Sequence, residues 1–175
     1  MATAPPFLFP LAQEAPMFTA TPVNTKEVKR RELDYASLDE VLAEAEQAAA
    51  QNASTQGNWS LAMIFDHLAK TIDCSLDGFG FKAPFFFRIA GPLMRKMFLG
   101  KPMPAGFQLS KEAAAVIGPS ETETSAALDH LRTSIRRFQS SSEVAHHPFF
   151  GKMTYDEYDL LHRRHAGLHM SFINL

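Results

Sequence analysis

The stretch TYDEYDLLHRRHAGLHMSFINL, residues 154–175, decides the fold. Thr154-Tyr155-Asp156-Glu157 is a capping box, in which the threonine hydroxyl and the glutamate carboxylate satisfy each other's free amides at a helix start. A helix from there nearly to Leu175 places Tyr158, Leu161, Leu168 and Phe172 toward one side and Asp156, Asp159, Arg163 and Arg164 opposite. At about 100° per residue, His165 and His169 lie about 40° apart, one turn from each other, and His162 lies within about 60° of both. The three imidazoles therefore point toward the edge of a core and not into bulk water.

Working outward, Ser37-Leu38-Asp39-Glu40 is a second capping box, and an alanine- and glutamate-rich helix follows it to Gln51. Residues 52–58 break that helix. Another begins near Trp59-Ser60 and runs to about Phe79, with Leu61, Ile64, Leu68 and Ile72 on one face. Asp66, Lys70, Asp73 and Asp77 fall on the opposite face, and Gly78 and Gly80 stop the helix. The apolar middle, Pro84 to Leu99, is expected to be kinked or divided at Pro92. Gly100 to Gln108 reads as loop. A further long helix spans roughly Glu123 to Gln139, with Leu128, Leu131, Ile135 and Phe138 as its buried stripe. A turn-rich connection starts at His146-His147-Pro148. Sustained period-two alternation is absent, so strands are not expected. An all-α fold with four principal helices and one interrupted crossover is a four-helix bundle.

At 175 residues the chain can bury a substantial single core. Residues 23–175 are expected to form that one domain. Met1 to Pro22 carries five prolines and no lysine or arginine, so it lacks the positive start of a secretory signal. It reads as a disordered extension, with Met17 an alternative start. A formal net charge of -2 excludes the concentrated basic surface that nucleic acid requires. The short runs Lys29-Arg30-Arg31 and Arg136-Arg137 read as solvated helix faces or ends. No apolar run approaches a membrane span. The one cysteine, Cys74, permits no intramolecular disulfide and suits the cytoplasm.

Imidazoles at i, i+4 can bring two nitrogens to one metal ion. Two ligands on one helix do not make a tight site, and His67, midway along the second helix beside its apolar face, is the candidate third. A lone helical histidine is ordinarily structural or solvated; three on the apolar side of one helix, in a chain with seven histidines, point to a metal. His130 reads as surface. His146 and His147 fit either loop polar contacts or the mouth of a pocket. Trp59 reads as a packing anchor. Cys74 reads as a small buried apolar side chain, or as a group that approaches the metal.

Trp59-Ser60 followed by His67-Leu68, then a late His165-x-x-x-His169 helix, resembles the DinB-like superfamily, which includes YfiT-like metal-dependent hydrolases and bacillithiol transferases. Within it, the blocks Gly57-Asn58-Trp59-Ser60, Met103-Pro104-Ala105-Gly106-Phe107 and His147-Pro148-Phe149-Phe150-Gly151-Lys152 are similar to a bacterial domain family of unknown function. The likeness covers roughly Val23 to Leu175. It implies an up-down-down-up four-helix bundle with a long crossover, and a metal held near one end of the core by His67, His165 and His169. His162 then either orients a ligand or replaces His165 if the helix is rotated.

The resemblance implies attack of a low-molecular-weight thiol on an electrophile. Zinc or nickel is the leading divalent metal, although imidazole suits several and the sequence does not choose among zinc, nickel, iron and manganese. Three neutral ligands leave coordination positions open, as in catalytic sites. No carboxylate adjoins the histidines in sequence, which fits a thiolate nucleophile better than hydrolysis, although Asp66 or Glu157 could approach in space. The alternative is a metal-stabilised binding or stress-response module without turnover. Small molecules are the expected partners, and a monomer or homodimer the expected state.

Overall fold

The computed structural model describes residues 22–175. The extension expected to be disordered, 1–22, lies outside the described residues except for Pro22, as does the alternative start at Met17. Six helices occur among the described residues: α1 Leu38–Ala50, α2 Leu61–Asp77, α3 Phe85–Gly100, α4 Lys111–Ile117, α5 Thr124–Gln139 and α6 Tyr155–Met170. They contain no strand beyond two isolated bridges, Thr55 with Ile173 and His147 with Gly151. No helix among the described residues is long and apolar enough to cross a membrane.

The helix starts follow their side chains. Thr154 Oγ1 accepts from Glu157 N at 3.2 Å while Thr154 N donates to Glu157 Oε2 at 2.9 Å, completing the box that opens α6. Ser37 caps α1 through Glu40 N at 3.2 Å, but the Glu40 carboxylate reaches one residue further back, to Ala36 N at 2.7 Å. Ser60 caps α2 through Met63 N, and Gly78, at φ +95°, ends it in a conformation that a side chain would strain.

α2 and α5 pack most extensively, with α1 and α6 closing the core around Phe65, Leu131, Ile135, Phe138 and Tyr158. Ala127 is buried where Leu128 was expected, and Leu128 is half-buried. Asp66 is not on a solvated face: it is 7% exposed and accepts from Ser120 N at 2.8 Å and Lys70 Nζ at 2.7 Å. The reason is α4, which covers that part of α2.

Pro92 does not divide α3, which runs through it. Proline removes one backbone donor, and here its ring faces solvent while Gly91 makes the close contact. A Cβ at Gly91 would lie 2.1 Å from the Phe149 carbonyl oxygen, so α3 seats directly on the 147–151 turn. Arg164 Nε to Leu99 O and Arg95 to Lys152 O tie α3 to the rest. α6 stops earlier than its pattern suggests. Ile173 is wholly buried, and the tail turns back on the 54–56 loop, with Gln56 N bonded to Phe172 O and Asn174 N to Ser54 O.

Candidate metal centre

His67 projects from the middle of α2, and His165 and His169 from successive turns of α6. His67 is 2% exposed, and its Nδ1 bonds the carbonyl of Ile117 at the end of α4. A carbonyl only accepts, so Nδ1 carries the proton and the Nε2 lone pair of the neutral ring is free. His67 Nε2 lies 3.2 Å from His165 Nε2, which lies 3.0 Å from His169 Nε2. The rings are nearly perpendicular in pairs, at 72°, 71° and 85°. One ligand atom from each of the three lies within 4.8 Å of the others, and the trio could hold a metal ion.

Ligand spacing offers a test of fit. Nitrogens about 2.0–2.1 Å from one ion stand about 3.3 Å apart at tetrahedral angles and about 2.9 Å apart at right angles. The observed 3.0 and 3.2 Å fall between these values. Hydrogen bonding alone accounts for the cluster poorly. An imidazole nitrogen is either an N–H or a lone pair, and a single N–H on His165 points well at only one of its two neighbours.

The surroundings keep the rings neutral. Burial pushes the His67 imidazole down to about 4, outweighing the Ile117 carbonyl, which favours the charged ring. Burial also holds His165 and His169 well below the ordinary histidine value, reinforced by the neighbouring imidazoles. Trp59 lies flat on His169, with ring centroids 4.8 Å apart and planes 7° from parallel, and meets His67 edge-on at 4.9 Å. The tryptophan expected to be a packing anchor therefore packs against the histidines themselves.

Other candidates lie elsewhere. His162 does not join the cluster; its Nε2 lies 3.0 Å from Ser75 Oγ. Burial pushes the Cys74 thiol up to about 11, and Cys74 is not among the grouped ligands. Asp66 is engaged by Lys70 and Ser120, and Glu157 by Thr154 and Arg95, so neither carboxylate meets the three rings. His130 bonds Asp73 at 2.8 Å, and His146 is exposed. His147, by contrast, lines the cavity.

The cluster opens into a cavity of about 930 Å³. All three sequence blocks border it: Gly57 to Trp59, Met103 to Phe107, and His147 with Phe149 and Phe150. Asn58 makes two bonds to the Val23 backbone, and Gly57 sits where a Cβ would press the Phe172 ring at 3.1 Å. Among the described residues the lining contains one charged side chain, Lys26, and no carboxylate. Sequence reasoning missed α4 and hence the Ile117 carbonyl that orients His67. The start and stop signals, Ser110 and Gly118, are both in the sequence.

Among the described residues, fold and site together define an all-helical protein with a three-histidine cluster, His67 buried and His165 and His169 half-buried, at a largely apolar cavity. The chain belongs to the family described as "Protein of unknown function (DUF1569)", whose profile matches residues 27–174. No curated protein and no solved structure matches it.

Proposed function

We propose that this is a DinB-like protein in which His67, His165 and His169 hold a divalent metal, and that it activates a low-molecular-weight thiol for transfer to an electrophile. One observation carries the reading. The Nε2 atom of His165 stands 3.2 and 3.0 Å from two other imidazole nitrogens, one of which is a lone pair because its ring donates to Ile117. When bound, a divalent ion, with zinc and nickel the leading candidates among those imidazole suits, would supply the charge that converts a small thiol to its thiolate.

The chain's residues do the rest. Ile117 fixes the tautomer and rotation of His67, and Trp59 fixes the plane of His169. Trp59 packs edge-on against His67 and flat against His169, so the rings hold one another in place at the cavity wall. Among the described residues the cavity lining lacks a carboxylate, so the charge of an ion held by three neutral rings is balanced best by an anionic ligand such as a thiolate. The same lack disfavours hydrolysis, which calls for a general base at the water. The bundle reading has support in connectivity. Residues 51–60 join α1 to α2 and residues 140–154 join α5 to α6, whereas the much longer stretch 78–123, containing α3 and α4, separates α2 from α5 as a crossover. Action in the cytoplasm on small molecules, as a monomer or homodimer, belongs to the same proposal.

The test is a titration of cobalt-loaded protein with 2-mercaptoethanol. A thiolate-to-cobalt charge-transfer band is expected in the wild type and absent in His165→Ala. If the thiol leaves the cobalt spectrum unchanged, thiol transfer is refuted, and a metal-stabilised module without turnover becomes the better account.

A further inference from the structure

The cavity holds a second set of polar side chains that the three-histidine centre does not use: His147, Tyr158 and His162. Their hydrogen-bond partners fix what each presents. His147 Nδ1 accepts from Phe149 N and Phe150 N, both at 3.2 Å, so it is a lone pair and the neutral ring carries its proton on Nε2. The turn is held by paired backbone bonds between His147 and Gly151, with Gly151 at φ +75°. Ser75 Oγ donates to Ile72 O at 2.6 Å and therefore accepts from His162 Nε2, which leaves His162 Nδ1 as a lone pair. Tyr158 is fully buried and its hydroxyl has no hydrogen-bond partner among the described residues. Neither His147 Nε2 nor His162 Nδ1 is bonded among the described residues.

An unpaired buried hydroxyl costs stability that phenylalanine at the same position would recover. The cost is explained if the hydroxyl is kept for a ligand. Around these groups the wall is aromatic and aliphatic, with Phe79, Phe149, Phe150 and Leu161. Along α6, His162 lies about 4.5 Å and Tyr158 about 10 Å from His165.

We propose that His147 Nε2–H and Tyr158 O–H form a donor pair that binds an oxygen acceptor, such as a carbonyl, on a neutral and otherwise apolar substrate. The His162 Nδ1 lone pair receives a donor where the substrate group has one. The oxygen sits about 5–10 Å along α6 from the three-histidine centre. The inference rests on the proposed function only in naming this molecule as the electrophile; the subsite itself uses none of the three clustered histidines.

The experiment uses the full chain and two probes of matched shape, 4-phenyl-2-butanone and butylbenzene, with Trp59, the one tryptophan and part of the cavity wall, as the fluorescent reporter. The ratio of ketone to hydrocarbon affinity is expected to fall about 5–20-fold in Tyr158→Phe and in His147→Phe, as loss of one hydrogen bond in a buried site implies. Butylbenzene affinity should be unchanged, and Tyr158→Phe should melt at or above the wild-type temperature, which keeps the test valid if His147→Phe fails to fold. An unchanged ratio in Tyr158→Phe, or a wild type that binds neither probe, overturns the proposal. Repeating the titration after chelation separates the two readings. A ratio that collapses on chelation means that the ion holds the oxygen, and the subsite is refuted. Protein that carries no ion yet keeps the Tyr158 dependence retains the subsite while the metal reading fails.

Discussion

Ser75→Ala isolates the bond that sets the His162 tautomer. Ser75 is fully buried, and its hydroxyl links Ile72 O at 2.6 Å to His162 Nε2 at 3.0 Å. Removing the hydroxyl frees a carbonyl that already belongs to the helix, but it leaves the His162 N–H without a partner at a site 5% exposed. A buried donor left unsatisfied costs about 1–3 kcal/mol. Alanine returns roughly 0.5 kcal/mol through its higher helix propensity. The net loss is therefore about 0.5–2.5 kcal/mol, or about 2–8 °C in melting temperature for a chain of this size. Thermal unfolding followed by circular dichroism reads the shift. His162→Leu in the Ser75→Ala background removes the orphaned donor, so a double-mutant cycle should return a coupling of about 1 kcal/mol or more. Ser75→Ala protein as stable as the wild type, with coupling near zero, would show that His162 Nε2 is not the donor.

Three further outcomes are expected. Gly91→Ala places a Cβ 2.1 Å from the Phe149 carbonyl oxygen, which neither backbone can yield cheaply, so stability should drop by about 1–3 kcal/mol in urea titrations; an undisturbed midpoint would mean that α3 does not seat on the turn. Burial pushes His147 and His162 down to about 3 in the folded state, whereas both protonate near pH 6.5 when unfolded. The unfolded chain thus binds more protons between those values, and stability present above about pH 6.5 is lost as pH falls toward 3, at up to about 1.4 kcal/mol per pH unit for each ring. Unfolding midpoints that stay flat from pH 7 to 4 would contradict neutral burial. Metal-loaded protein should melt at a lower temperature after chelation, since a folded-state ligand at about a hundred times its Kd contributes about 2.7 kcal/mol; His169→Ala should show no such sensitivity.

Most of the helical frame is legible in the sequence because periodicity and caps are local. Thr154, Ser37 and Ser60 each begin a helix for reasons contained within four residues of chain. The three clustered histidines are legible for the same reason, two of them by helical spacing and His67 by its place on the opposing helix. What the sequence obscures depends on contacts from afar. Asp66 reads as a solvated residue until α4 and Ser120 cover it. α6 reads as continuing to Leu175 until the burial of Ile173 turns the tail onto the 54–56 loop. His147 stays ambiguous in sequence because its role depends on a turn whose amides fold back on its own ring. Tyr158 reads as ordinary core, since nothing local reveals that its hydroxyl lacks a partner.

The central claim is that His67, His165 and His169 hold one ion, and elemental analysis tests it most directly. Untagged protein purified without chelator and incubated with zinc or nickel should carry about one divalent ion per chain by mass spectrometry of the metal. His67→Ala, His165→Ala and His169→Ala should each lose it, while Cys74→Ala retains it. Folded wild-type protein without stoichiometric metal, or an ion that survives removal of any one of the three imidazoles, would contradict the account.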